Sequence, residues 1–202
     1  MPSKFRVRRI FRGLVSWIAN PLAAAGVRPN TITHLSLLLA FIAGLLLNLT
    51  GSPVMFGIFI FLSGLFDGVD GAIARKQKTA SDFGAFVDSI SDKVSEVIIL
   101  GSIAVEYVGQ FFIGIPIEWW VVIALAGWLL TSYTRSRASS LGAKDLDIGL
   151  GGRSERLLTL VIFSVLNQLF WGLVLVSIMG IFTAAYRFYK YQNEIAQLSK
   201  LN

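Results

Sequence analysis

Asp67-Gly68-Val69-Asp70-Gly71-Ala72-Ile73-Ala74-Arg75 closes a stretch, residues 54–66, that is otherwise almost wholly apolar. Gly84, Asp88 and Asp92 follow, and then residues 94–105, whose one charge is Glu96. The spacing is D-x-x-D-G-x-x-A-R-x8-G-x-x-x-D-x-x-x-D. Four carboxylates at the ends of two hydrophobic helices are costly to place. Ionisable groups inside a membrane protein point to a functional site.

The composition agrees with a membrane setting. Of 202 residues, 54% are hydrophobic and 15% charged, against about 25% charged in soluble domains. The expectation is one all-α domain over residues 1–202. A bilayer leaves the backbone only helices or a closed barrel, and the apolar runs lack the period-two alternation of a barrel. Six transmembrane spans are expected, at about residues 32–49, 54–75, 83–107, 119–139, 154–167 and 170–190. Pro29-Asn30-Thr31-Ile32-Thr33 opens the first, with Asn30 or Thr31 as its N-cap. A polar loop is expected over residues 142–152. There is no internal repeat.

Residues 4–18 read as an N-terminal amphipathic juxtamembrane helix. Val7, Ile10, Phe11, Leu14, Val15, Trp17 and Ile18 share one side of a helical wheel, and Arg6, Arg8, Arg9 and Arg12 the other. Such a helix lies in the headgroup plane with its arginines toward anionic lipid. The segment lacks the compact apolar core and cleavage site of a signal peptide. On this layout the lysines and arginines gather on one side of the membrane, while the opposite loops carry Glu106 and Glu118. The positive-inside rule then puts both termini and all four aspartates on the cytoplasmic side of the cell membrane.

The chain has no cysteine and a single histidine, His34. Thiolate chemistry is excluded, and proton transfer rests on carboxylates, lysines, hydroxyls or water. Asp67 and Asp70 are three apart, Asp88 and Asp92 four apart, so each pair shares a helix face. The short polar connection between the helices predicts antiparallel neighbours with the two pairs face to face. Carboxylates converging in a partly dry site repel one another unless cations neutralise them. Oxygen-only ligands favour Mg²⁺, Mn²⁺ or Ca²⁺ over Zn²⁺. Gly71 and Gly84 leave room for a ligand near the backbone, and Arg75 has the geometry to bind phosphate. A two-metal clamp on an in-line phosphoryl displacement would use all of these groups. A divalent-cation transporter would use the same carboxylates, but it also needs a polar path to the far side, and the far halves of the spans are apolar. An inactive scaffold would be expected to have lost acids from the set, and none is lost.

The pattern from Asp67 to Asp92 resembles the signature of the CDP-alcohol phosphotransferases at every fixed position, and length and span count fit across nearly the whole chain. The resemblance implies that a CDP-lipid is attacked by a second alcohol, releasing CMP. It implies that Asp67, Asp70 and Asp88 bind two divalent cations, Mg²⁺ or Mn²⁺, and that Asp92 is both ligand and general base. Gly71 would leave room for the cytidine nucleotide, Arg75 and Ser81 would contact it, and Asn30, Thr31, Ile32 and Thr33 would close over it. Residues 88–96, 132–137 and 152–156 resemble the inositol phosphate branch, in which Arg135, Arg153 and Arg187 would bind the acceptor's phosphate. Arg135 stands where many bacterial members carry lysine. The product would be a phosphatidyl- or archaetidylinositol phosphate. Glycerol 3-phosphate or serine as acceptor, or a CDP-inositol donor, would use the same chemistry. The partners implied are a CDP-lipid, a small alcohol phosphate, the bilayer and a second copy of the chain, with no nucleic acid.

Overall fold

The computed structural model describes residues 10–144, 146, 149 and 151–198. The expected amphipathic helix therefore lies partly outside the described residues, including Arg6, Val7, Arg8 and Arg9. The described part is all-α apart from one small hairpin. In chain order the elements are α1 (Arg12–Ala24), α2 (Pro29–Thr50), α3 (Pro53–Gln77), α4 (Asp82–Glu106), β1 (Phe111–Phe112), β2 (Ile115–Pro116), α5 (Ile117–Ser140), α6 (Arg153–Val165) and α7 (Leu169–Leu198). The antiparallel hairpin β1–β2 pairs Phe111 with Pro116 and Phe112 with Ile115, and was not expected from sequence.

Helix boundaries follow local chemistry. Pro29 occupies the first turn of α2, with Arg28 as N-cap in an extended conformation. The expected cap at Asn30 or Thr31 is thus corrected. Proline is preorganised for the first helical position and pushes the residue before it out of the helical region. Asn30 and Thr31 fall inside the first turn. Gly51 ends α2 at a φ of 63°, its N–H donating to Leu47 O at 2.8 Å, the left-handed stop that glycine permits. Ser52 caps α3, and Ser81 caps α4 by accepting from Gly84 N at 3.1 Å.

Helices α2, α3, α5 and α7 are long and apolar enough to cross a bilayer, which makes this a multi-pass membrane protein. Two expected spans fall short of that standard. Charged residues at Asp92, Lys93, Glu96 and Glu106 crowd α4. Helix α6 has 13 residues, which reach about 20 Å against a hydrocarbon core of about 30 Å. One core joins all six helices from α2 to α7, with Leu47, Phe56, Leu100, Trp128, Leu160 and Leu173 buried in it. Around it Phe41, Leu45, Ile58, Val122, Ile178 and Phe182 face outward, as lipid-facing side chains do. A second cluster seats α1 on α3, through Ala19 against Val69 and Ile73.

The helix order around the bundle positions the site. Although a short loop joins α3 to α4, it is α2 that packs extensively against both; α3 and α4 approach each other far less closely. The expected neighbours thus meet through their acids, Asp67 with Asp88 and Asp92, and not along their backbones. The wedge of α2 splays the two acid-bearing helices and leaves a cleft between them.

Close crossing of α5 and α7 depends on two glycines. A Cβ on Gly127 would stand 2.7 Å from Gly180 C and Ile181 N. The Thr131 hydroxyl reaches both Gly127 O at 2.7 Å and Gly180 O at 3.1 Å. Small residues that let backbones approach are the usual means of packing membrane helices. Gly127→Ala is expected to cost about 1–3 kcal/mol by overpacking, read as a lower thermal midpoint in detergent. Gly101→Ala, at a position with nothing within 4 Å, should leave the midpoint unchanged or raise it.

Candidate active site

Helices α3 and α4 carry the acids at the ends of their apolar stretches. Asp67, Asp88 and Asp92 each present a carboxylate oxygen within 4.8 Å of the others. Asp70 is set deeper, at 5% exposure. Its Oδ2 accepts from Thr33 Oγ1 at 2.6 Å, and it interacts electrostatically with Asp67 and Asp88. The structure therefore gathers three of the four acids at one point and ties the fourth to the first turns of α2.

The expected nucleotide segment divides by helical phase. Thr33 is buried against Asp70, and Ile32 packs on α1 and α3. Thr31 and His34 are exposed. Asn30 turns toward α4, its Oδ1 lying 3.8 Å from where a Gly84 Cβ would stand. Ser81 Oγ, 3.3 Å from that same position, already serves as the α4 cap. Gly71 leaves its space to Arg75, whose Nη1 would be 3.2 Å from a Cβ there.

Arg153 enters the acid cluster from the first turn of α6. Its Nη1 lies 2.7 Å from Asp67 Oδ2 and 2.9 Å from Asp92 Oδ1. Its Nη2 donates to Ser95 Oγ at 3.1 Å. Sequence reading expected Arg153 on an acceptor phosphate; the structure places it on the metal-type acids. Arg187, 8% exposed, donates from Nη1 to Thr131 O at 2.8 Å. Arg135 lies exposed near the end of α5.

Two groups were missed from sequence. Glu96 is fully buried, and it accepts from Lys93 Nζ at 2.6 Å. Its Oε1 is 3.6 Å from Arg153 Nε and 3.8 Å from Arg156 Nη2. Arg156, at 1% exposure, stacks on Trp128 with its guanidinium carbon 4.7 Å from the ring centroid, a cation–π contact. Arg156 also interacts electrostatically with Arg153 and Arg187. The signal was present: Glu96 repeats the four-residue step of Asp88 and Asp92, and Arg156 lies one turn beyond Arg153.

A cavity of about 410 Å³ opens from the acids. Its polar end is lined by Asp67, Asp70, Asp88, Arg75 and Arg153; Phe61, Leu65, Leu157, Leu158 and Val161 form its apolar walls, and Phe11 and Val15 close the α1 side. That shape suits a ligand with an anionic head and an apolar body. The acids also fit a divalent cation. The donors are all carboxylate oxygens, and three of them lie within 4.8 Å of one another, a mutual repulsion that a divalent cation relieves.

Comparison with known proteins agrees with this geometry. The family model for CDP-alcohol phosphatidyltransferase matches residues 27–186. Archaetidylinositol phosphate synthase of Pyrococcus horikoshii is 33% identical over 174 residues, covering 86% of this chain and 88% of that protein. The fold is shared with Mycobacterium tuberculosis phosphatidylinositol phosphate synthase. The crystal structure of that protein with CDP-DAG bound superposes at a TM-score of 0.74 with 23% identity, over 88% of this chain and 92% of that one. Its complex with manganese and citrate gives 0.73 at 23% identity, over 88% of each chain. With the acid signature and the family match spanning the membrane core, the chain belongs to the CDP-alcohol phosphatidyltransferases.

Proposed function

We propose that this enzyme joins a CDP-lipid to inositol 1-phosphate, releasing CMP and forming a phosphatidyl- or archaetidylinositol phosphate. The observation that carries the reading is the acid cluster at the polar end of a cavity with apolar walls. A soluble nucleotide would not need those walls, and a lipid without a charged head would not need the acids. The inositol phosphate acceptor is supported by the similar synthase of Pyrococcus horikoshii.

In this reading Asp67, Asp70, Asp88 and Asp92 hold two divalent cations, which when bound neutralise the diphosphate and polarise the phosphorus under attack. Thr33 fixes the Asp70 carboxylate by its 2.6 Å hydrogen bond. Gly71 keeps the α3 backbone open to the nucleotide, Arg75 pairs with the diphosphate, and Asn30, Thr31, Ile32 and Ser81 border the cytidine. The acceptor hydroxyl attacks the lipid-bearing phosphorus as its proton passes to Asp92. The new phosphodiester bond forms and the bond to CMP breaks. Arg135, Arg153 and Arg187 hold the acceptor's phosphate, since arginine binds a dianion through two parallel donors.

The same reading carries a topology. Six helices cross or enter the membrane, with α4 and α6 sheltered by the others so that their charges face the cleft. Both termini and the active site face the cytoplasm of a cell membrane, by the placement of basic residues. A homodimer is proposed from the family resemblance.

CMP release in detergent with Mg²⁺ should occur with inositol 1-phosphate and not with glycerol 3-phosphate, serine or free inositol. Release with another acceptor would replace the substrate and keep the chemistry; Mg²⁺ or Mn²⁺ binding without any release would bring cation transport forward. Asp92→Asn should lower turnover by at least about a hundredfold, the scale of a lost general base, while CDP-lipid still binds. A near-native rate would remove Asp92 from that role. Native mass measurement in lipid should find twice 22.1 kDa, and a monomer would contradict the dimer.

A further inference from the structure

Arg153 has two sets of acidic neighbours, and its bonds to them are unequal. On one side Nη1 makes close ion pairs with Asp67 at 2.7 Å and Asp92 at 2.9 Å. On the other, Nη2 donates to Ser95 Oγ at 3.1 Å, while Nε stops 3.6 Å short of Glu96 Oε1. Both atoms of that last gap, Arg153 Nε and Glu96 Oε1, are buried without a hydrogen-bond partner. These two groups of opposite charge, with Arg156 Nη2 a further neighbour of the same oxygen at 3.8 Å, form a second resting place beside the first. Closing the gap would give both atoms a hydrogen-bond partner. Ser95 and Glu96 follow Asp92 on α4, so the second place is about one helical turn from the first.

A guanidinium and a divalent cation cannot share the facing oxygens of Asp67 and Asp92. Each would bring positive charge to the same lone pairs at contact distance, in surroundings that screen it poorly. We propose that Arg153 is a tethered cation that competes with divalent metal for Asp67 and Asp92. On displacement it settles against Glu96 and Ser95, with its outer donors turned toward an anion. Metal loading and presentation of this arginine to the acceptor's phosphate then become one coupled event. Glu96 is a positioning residue, the carboxylate that receives Arg153. The proposal rests on the reading that the aspartates hold divalent metal, and it makes Arg153 a brake on that metal as well as a ligand for the acceptor.

The test is Mn²⁺ binding to the purified full chain in detergent, followed by the electron paramagnetic resonance signal of the free ion, with no turnover required. Arg153→Ala should bind Mn²⁺ roughly tenfold more tightly than the unmodified protein, within the usual range of coupling between sites. Arg153→Lys should fall between, because a lysine keeps the charge but its single nitrogen cannot hold the two carboxylates and Ser95 at once. A role for Arg153 in merely holding the aspartates in place predicts the opposite sign. Equal or weaker binding by Arg153→Ala would overturn the proposal, and if that variant does not fold, equal or weaker binding by Arg153→Lys would do so. By reciprocity, inorganic phosphate should tighten Mn²⁺ binding severalfold in the unmodified protein and not in Arg153→Ala; the same gain in both would also overturn it. Unmodified protein that binds no Mn²⁺ would remove the functional reading and this proposal together. Unmodified protein that binds Mn²⁺, with variants no tighter, would remove this proposal alone.

Discussion

Carboxylates held together among apolar helices repel one another, and the bundle is arranged around that repulsion. Oxygens of Asp67, Asp88 and Asp92 lie within 4.8 Å of one another, and Asp70 is buried beside them. Such a group survives only if positive charge or hydrogen-bond donors are delivered to it. The surrounding elements do this. Helix α2 supplies the Thr33 hydroxyl, α6 supplies Arg153, and α3 carries Arg75 to the rim. The deeper layer of Lys93, Glu96 and Arg156 sets further charge behind the acids, and Trp128 gives Arg156 an aromatic face.

That requirement explains the packing of the bundle. If α3 and α4 packed tightly along their length, the acids would meet with no room for a ligand. With α2 as a wedge against both, the side chains meet while the backbones stay apart. Beyond the acids the bundle closes, with Leu47, Phe56, Ile60, Leu100 and Leu160 in one core. Charge in the cleft beside an apolar core fits an enzyme that handles an anionic head carried on an apolar body.

The helix α6 shows how function alters a membrane element. With 13 residues it is short for a span, and its first residue is Arg153. Its start at Arg153 sets the N-terminal turn beside Asp67 and Asp92. Its apolar side, Leu157, Leu160 and Val161, packs into the core and lines the cavity.

Features that helical geometry makes local are legible in the chain alone. Apolar runs mark the helices, and steps of three and four between Asp67 and Asp70 and between Asp88 and Asp92 put each pair on one face. The same steps carried the family resemblance, and the family match bears it out. Even the overlooked Glu96 sits on that four-residue ladder. The contacts that complete the site join residues far apart in the chain and come from the packing of the bundle. Thr33 on Asp70 spans 37 positions and Arg153 on Ser95 spans 58. No periodicity reports that α2 separates α3 from α4, or that Arg153 rests on Asp67 and Asp92. Those contacts depend on how all the helices fill one core, where close-packing selects a single arrangement, whereas spacing along a helix depends only on the turn of that helix.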